Sequence, residues 1–490
     1  MSIAEKHPNT DESERVVAVN AAESRPLYSK RVRIHPKAVS GTFRRAKWLF
    51  MAVLLGIYYV GPWLRWDRGP NAASQAILID FPSRRFYFFF IEIWPQEFYY
   101  LTGILVLAAL GLFFVTSLFG RIWCGFGCPQ TVWTDLFIKV ERMIEGDRNA
   151  RLKLDKAPWT AAKVARKVVK HALWILIGLA TGGAWIFYFA DAPTLARELV
   201  TFTAPPVAWT TIAFFTTATY VMAGFFREQV CTYMCPYARF QAAMFDEETF
   251  VVTYRADRGE KRGAHRKGDS WEGRGDCVDC TQCVAVCPAG IDIRDGQQLE
   301  CISCGLCIDA CDGIMDKVGR PRGLIAFDTL ANANARAAGA SHRTRILRPR
   351  TIMYMGLIAA VAGLMLAGLS LRATLELNVI GERNPLYVLL SDGGVRNAYT
   401  LKVLNKAATE GHYRLGVEGL PGARISVVGL AGAPAGEVPL DAPADLVATY
   451  RVFVTVPKGT LSGHAADIRF VLAETGGSER AVRDAVFRGP

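Results

Sequence analysis

Cysteine is absent before Cys124 and after Cys311, and the twelve in between fall into three clusters. That excludes a disulfide framework and leaves metal or redox ligation as the use of such grouping. Charged residues are also scarce, at 21% against 51% hydrophobic, and mean hydropathy is positive at +0.18. So apolar a chain of 490 residues is neither disordered nor a wholly soluble enzyme. Residues 1–20 are acidic and lack an apolar core, so no signal peptide is expected and insertion would rest on internal spans. The net charge of +12 could suggest nucleic acid, but the basic residues flank apolar runs, which points to a membrane surface instead.

Lys, Arg, Asp and Glu are missing from five long runs: 48–64, 98–119, 172–190, 207–226 and 351–371. Each approaches the roughly 20 residues that a helix needs to cross a bilayer core. Lys+Arg between them alternate: seven in 28–47, four in 65–97, eleven in 121–171, one in 191–206 and eighteen in 227–350. By the positive-inside rule the N-terminus, the second loop and the long fourth loop are cytoplasmic, and everything after residue 371 is periplasmic. In the first outer loop an aromatic segment, 86–94, follows Arg84 and Arg85 and reads as an interfacial stretch. A quinone pocket containing Glu92 is the sharper alternative there.

Two of the cysteine clusters are copies of one unit. Cys124 and Cys128 are followed by Pro129, and Cys231 and Cys235 by Pro236. Each CxxxCP comes four residues after a span and leads into an amphipathic run, 130–144 or 237–245. Proline favours the first helical position, so Cys128 and Cys235 are expected at helix N-caps, where N–H groups favour thiolate. Parallel repeats on one membrane face can bring all four sulfurs together. Four soft thiolates suit Cu(I), Zn(II) or an iron–sulfur cluster, and buried free cysteine is the plainer alternative. Met234 lacks a counterpart in the first copy and is expected to pack rather than ligate.

The third cluster is C-x2-C-x2-C-x3-C twice: Cys277, Cys280, Cys283 and Cys287, then Cys301, Cys304, Cys307 and Cys311. This is two-cluster ferredoxin spacing, in which the fourth cysteine of each run serves the other cluster. One [4Fe–4S] cluster is thus assigned to Cys277, Cys280, Cys283 and Cys311. The second takes Cys301, Cys304, Cys307 and Cys287. Zinc sites use paired CxxC elements at longer separation. Asp312 stands after Cys311 where Pro288 follows Cys287. A reducing, cytoplasmic compartment suits such ligands.

Beyond residue 371, alternating stretches at 374–380, 386–390, 399–404, 412–417, 424–428, 447–456 and 467–472 predict seven strands of an immunoglobulin-like sandwich. With no cysteine, this part can hold no thiolate site, and His412 and His464 are expected at the surface. The expected architecture is a multidomain integral membrane protein. It has a tail (1–47), a four-helix domain with both CxxxCP repeats (48–250), a ferredoxin-like domain (251–350), a fifth transmembrane helix (351–371) and a periplasmic β-sandwich (372–490).

The order of these parts, with Trp94-Pro95-Gln96 and Asn384-Pro385-Leu386-Tyr387-Val388, resembles the FixG/CcoG/RdxA family, accessory proteins for assembly of cbb-type cytochrome c oxidase. The resemblance implies an inner-membrane iron–sulfur oxidoreductase that supplies copper by reducing Cu(II) to Cu(I). Cys124, Cys128, Cys231 and Cys235 are then the copper or redox residues. Implied cofactors are two [4Fe–4S] clusters, with copper as substrate or bound ion. Implied partners are membrane lipid, a cytoplasmic electron donor, oxidase assembly factors or a copper-exporting P-type ATPase, and a second copy of the chain; nucleic acid is not among them. Related respiratory proteins are quinol-linked, and some carry an N-terminal flavin domain, for which 47 residues leave no room. A quinol-linked electron carrier and a non-catalytic assembly scaffold are the alternative functions.

Overall fold

A computed structural model describes residues 33–490 apart from 70, 267, 431 and 462; the expected tail lies outside the described residues as far as residue 32. The described residues form two compact units, one within 33–64 and 75–365, the other within 65–74 and 366–490.

In the first unit α1 (Thr42–Val60) is followed by a small antiparallel sheet, β1 (Ile77–Asp80), β2 (Arg85–Phe88) and β3 (Ile91–Ile93), which leads to α2 (Tyr99–Phe119). The aromatic segment is therefore a hairpin, as suits residues that favour pleated surfaces. Across it Arg85 donates to Glu92 at 2.9 Å and lies 3.8 Å over the Trp94 ring. The quinone reading of Glu92 thus meets a carboxylate already held by an arginine.

Helices α3 (Ile122–Phe126), α4 (Pro129–Glu145), α5 (Arg148–Lys156), α6 (Ala161–Ile186), α7 (Ala192–Val200), α8 (Pro206–Val221) and α9 (Pro236–Met244) follow. The cluster loop contains β4 (Val251–Tyr254), α10 (Ala256–Gly259), α11 (Gln282–Ala285), α12 (Leu306–Val318), β5 (Ile325–Asp328) and α13 (Leu330–Ala337), and α14 (Pro349–Ser370) comes after it. Among the described residues four helical stretches are long and apolar enough to cross a membrane: Thr42–Trp63, Pro95–Phe119, Ala161–Ile186 and Pro349–Ser370. The remaining expected span differs. Its α-helix, α8, has 16 residues and continues as a π-helix, Met222–Phe226. The α-helical part alone is shorter than the roughly 20 residues of a full crossing.

Two features fasten the cluster loop to the helices. Asp309, between Cys307 and Cys311 on α12, accepts the Phe43 and Arg44 N–H groups at 3.1 and 2.7 Å, satisfying donors that the first turn of α1 leaves open. Lys37 N–H donates to the Ala285 carbonyl at 2.8 Å, so the segment before α1 is tied to α11.

Buried charge organises α4. Glu141, fully buried, accepts from Arg227 at 2.6 Å and Arg33 at 3.2 Å and also pairs with Arg151. Burial pushes its carboxyl up, but Arg227 and Arg151 outweigh that and hold it below the usual range. Arg44 grips Asp135 with both terminal nitrogens at 2.9 Å. Breaking one partner of such a buried pair costs about 3–5 kcal/mol, because a lone charge is left behind.

The second unit is a β-sandwich of two antiparallel sheets. One is ordered β10 (Arg424–Val427), β12 (Leu446–Val456), β8 (Val395–Asn405), β6 (Leu375–Gly381), with β7 (Val388–Leu389) also on β8. The other is β11 (Glu437–Ala442), β9 (Gly411–Glu418), β13 (Ala465–Glu474), β14 (Arg480–Arg488). Tyr399, Leu401 and Val403 alternate inward from one sheet and meet Leu415, Phe470 and Leu472 from the other. The count corrects the expected seven strands to nine, by β11 and β14. His412 and His464 are exposed, as expected.

Candidate functional site

The two ferredoxin runs fold alike. The residues on either side of the middle cysteine take left-handed backbone: Asp279 (φ 52) and Thr281 (φ 50) around Cys280, Ser303 (φ 53) and Gly305 (φ 72) around Cys304. Such turns aim successive N–H groups toward one point, as anion-binding loops do. Cys283 lies on α11, and Cys307 and Cys311 on α12.

Cys277, Cys280, Cys283 and Cys311 line one cavity, walled by Tyr254 and Ile325. Cys287, Cys301, Cys304 and Cys307 line another, against Val252. Val252 and Tyr254, two apart on β4, thus face one cavity each from the same side of the strand. Cys283 borders both, so the cavities share a wall. The thiols come together in the crossed grouping that the spacing predicts.

These residues fit iron–sulfur clusters on chemical grounds. Burial pushes the Cys283, Cys287 and Cys311 thiols up to about 12 and Cys301 up to about 11. Such dry thiols ionise only with a cation to hold the charge. Among the described residues no three His, Cys, Asp or Glu side chains converge as the donors of a single metal ion. Four sulfurs spread around a cavity suit a multi-iron core better than zinc.

The CxxxCP repeat extends to the backbone. Cys128 and Cys235 are the N-cap residues of α4 and α9, with Pro129 and Pro236 next, although neither side chain makes the capping bond. In each copy the second cysteine's N–H reaches five residues back, Cys128 to Trp123 at 2.9 Å and Cys235 to Val230 at 2.7 Å. Four residues before the first cysteine stand Gly120 (φ 56, ψ −127) and Arg227 (φ 45, ψ −114). Glycine takes that conformation freely; the arginine is held there by Glu141 and by its Nε–H bond to the Gly224 carbonyl at 2.9 Å. The copies diverge around the first cysteine, with Cys124 on α3 and Cys231 in a π-helix, Val230–Met234. Met234 is 51% exposed, which corrects the expectation that it packs.

Burial, together with the nearby Cys128, Cys124 and Cys235 and against the pull of Arg121, pushes the Cys231 thiol up to about 12. Cys231 also borders a cavity of ≈ 40 Å³ lined by Lys47, Asp135, Arg227, Glu228 and Glu300.

Cys124 packs against the wall of the second cluster cavity, in one apolar group with Val286, Ile302, Cys304 and Leu306. A Cβ on Gly125 would stand 2.7 Å from the Ile302 carbonyl oxygen and 3.0 Å from the Cys304 Cα, so this contact needs glycine. Two residues here escaped the sequence reading. Gln241 of α9 accepts from the Cys124 thiol at 3.2 Å and from Arg121 Nε–H at 3.1 Å, and Arg121 also donates to the Leu299 carbonyl. No motif marks them, since their partners are far away in sequence.

Helices able to cross a membrane, paired cysteine cavities and a terminal sandwich define a membrane iron–sulfur protein. Its family follows from comparison with known proteins. A family model for a 4Fe–4S dicluster domain matches residues 226–330, one for a 4Fe–4S binding domain matches 101–146, and one for the Ig-like fold at the C-terminus of FixG matches 365–490. The "Nitrogen fixation protein FixG" of Rhizobium meliloti is 53% identical over 501 residues, covering 96% of each chain. "Protein RdxA" of Cereibacter sphaeroides is 52% identical over 463 residues, covering 93% of this chain and 96% of its own. A crystal structure of a FixG-related protein from Vibrio parahaemolyticus aligns over 24% of this chain and 97% of its own, at 23% identity and a TM-score of 0.20. The chain belongs to the FixG/RdxA family.

Proposed function

We propose that this protein is a membrane cupric reductase that supplies Cu(I) for assembly of a cbb-type oxidase. The observation that carries the reading is the packing of Cys124 against Cys304, which sets one thiol of the CxxxCP repeats beside a cysteine cavity of ferredoxin type. Cys277, Cys280, Cys283 and Cys311 would hold one [4Fe–4S] cluster and Cys287, Cys301, Cys304 and Cys307 the other. When bound, these groups supply one-electron transfer, with a cytoplasmic reductant as the source. The chain's own residues do the rest. Cys124, Cys128, Cys231 and Cys235 offer sulfur, which favours Cu(I) over Cu(II), so capture of the ion at thiolates assists its reduction. Cu(II) gains one electron and becomes Cu(I), and the donor loses one.

The test is anaerobic. The protein is reduced with dithionite, freed of excess reductant and titrated with Cu(II) in the presence of a Cu(I) chelator. Cu(I) should appear in step with oxidation of the clusters. Clusters that stay reduced beside Cu(II), yet are oxidised by a quinone, would overturn the copper reading.

A second reading has its own support, because the 4Fe–4S binding family model covers Cys124 and Cys128. In that reading the CxxxCP thiols hold a further iron–sulfur cluster. Purified protein would then carry more iron than two [4Fe–4S] clusters account for.

The proposed orientation has five spans, with α8 and its π-helical extension as the fourth. It puts the cluster loop in the cytoplasm and the sandwich in the periplasm. A reporter inserted near Gly268 should be active only in the cytoplasm, and one fused after Pro490 only in the periplasm. The reverse at either place breaks the scheme.

A further inference from the structure

We propose that Arg121 is a positioning residue that ties the CxxxCP thiols to the second cluster loop and raises the reduction potential of the cluster held by Cys287, Cys301, Cys304 and Cys307. This rests on the two-cluster reading above but does not need copper to be the substrate.

The geometry is a bridge. Arg121 is 3% exposed. One arm donates to the Leu299 carbonyl, two residues before Cys301. Another donates to Gln241 Oε1 at 3.1 Å, the same oxygen that accepts from Cys124. A planar guanidinium can span two such acceptors in fixed directions, and a lysine cannot. Gln241 is itself fully buried and reaches Thr116 Oγ1 at 3.4 Å, so the bridge is anchored to α2 as well.

Charge makes the second half of the argument. Five arginines of the described residues are buried: Arg44, Arg85, Arg121, Arg151 and Arg227. Four have a carboxylate partner, in Asp135, Glu92, Glu141 and again Glu141. Arg121 has none among the described residues, and a buried cation without a counter-charge is costly. Its neighbours are cysteines: Cys124 beside it and Cys301 within reach of its field. Thiolates, with the net negative charge of a thiolate-ligated cluster, are the anions that the site offers. A fixed positive charge there stabilises the cluster's reduced, more negative state, and so raises its potential. The other cavity, lined by Cys277, Cys280 and Cys311, does not border this contact.

The experiment is a potentiometric titration of both clusters by EPR on purified, cluster-loaded protein. Arg121→Gln should lower the potential of the second cluster and leave the first in place. Arg121→Lys keeps the charge and should keep the potential. It should nonetheless slow single-turnover oxidation of the clusters by Cu(II) on the order of tenfold, about the loss expected for one charged hydrogen bond. Gln241→Glu supplies the missing carboxylate with Arg121 intact and should lower the same potential, which keeps the idea testable if Arg121→Gln loads poorly. An unchanged second-cluster potential in loaded Arg121→Gln and Gln241→Glu, or equal shifts in both clusters, overturns the proposal. If the wild type reduces no Cu(II) while the potential shifts as expected, the copper reading fails and the role of Arg121 stands.

Discussion

Replacing Cys287 by serine is expected to destroy the cluster whose other ligands are Cys301, Cys304 and Cys307, and to spare the one nearer to it in sequence. Cys287 closes the first C-x2-C-x2-C-x3-C run, yet it lines the cavity of the second run. A serine hydroxyl is a hard and weakly acidic donor, a poor substitute for thiolate on iron. Bound iron should fall by about half, the share of one cluster in a two-cluster protein. One of the two sets of EPR signals should vanish while the other persists. Cys311→Ser should do the converse, since Cys311 lines the cavity of Cys277, Cys280 and Cys283. If Cys287→Ser removed the cluster of Cys277, Cys280 and Cys283, the crossed assignment would be wrong.

The second large effect is expected at the repeat. Cys128→Ser alone, or Cys235→Ser alone, should remove most Cu(I) binding and cupric reduction. The two cysteines cap different helices, but Cys128 and Cys124 both raise the Cys231 thiol across the repeats, so the two copies are expected to act on one ion rather than as independent pairs. Loss of a ligand itself should cost more than the roughly 10–100-fold that an outer-shell change costs a metal site. Both clusters should remain, because none of the eight ferredoxin cysteines has changed. Bound copper and chelator colour after reduction measure the effect. Copper uptake at the wild-type level in the double variant would remove copper chemistry from this motif.

What the sequence made legible was local. The ferredoxin spacing, the proline after each CxxxC and the uncharged runs each lie within a few residues or a single helix; the cysteines and prolines stand where the spacing puts them, and four of the five runs lie on helices long and apolar enough to cross a membrane. Residues joined over long separations were not legible. Arg121 and Gln241 lie 120 positions apart, and Arg227 and Glu141 lie 86 apart. Neither pair leaves a pattern, because a buried polar contact needs only one partner of the right kind in the right place. The π-helical segments around Arg227 use the same residue types as an α-helix, so periodicity does not reveal them. The strands that escaped notice had weak signals of their own. β11 contains Pro439, which normally demotes a strand, and it lies at the edge of its sheet. β14 alternates charge with small residues, and of its side chains only Ala481 and Phe487 are buried.

The carboxylate that caps α1 comes from Asp309, 265 positions after Arg44. A ribosome therefore releases this helix long before its cap exists. Until the segment carrying Cys307 and Cys311 has been made and wound into α12, the opening turn of α1 lacks that acceptor for its N–H groups. The first helix of the described residues is thus finished by a segment made much later in its unit, one that also carries two of the cluster-cavity cysteines. The capping of α1 and the winding of the segment that carries Cys307 and Cys311 are in this way one step.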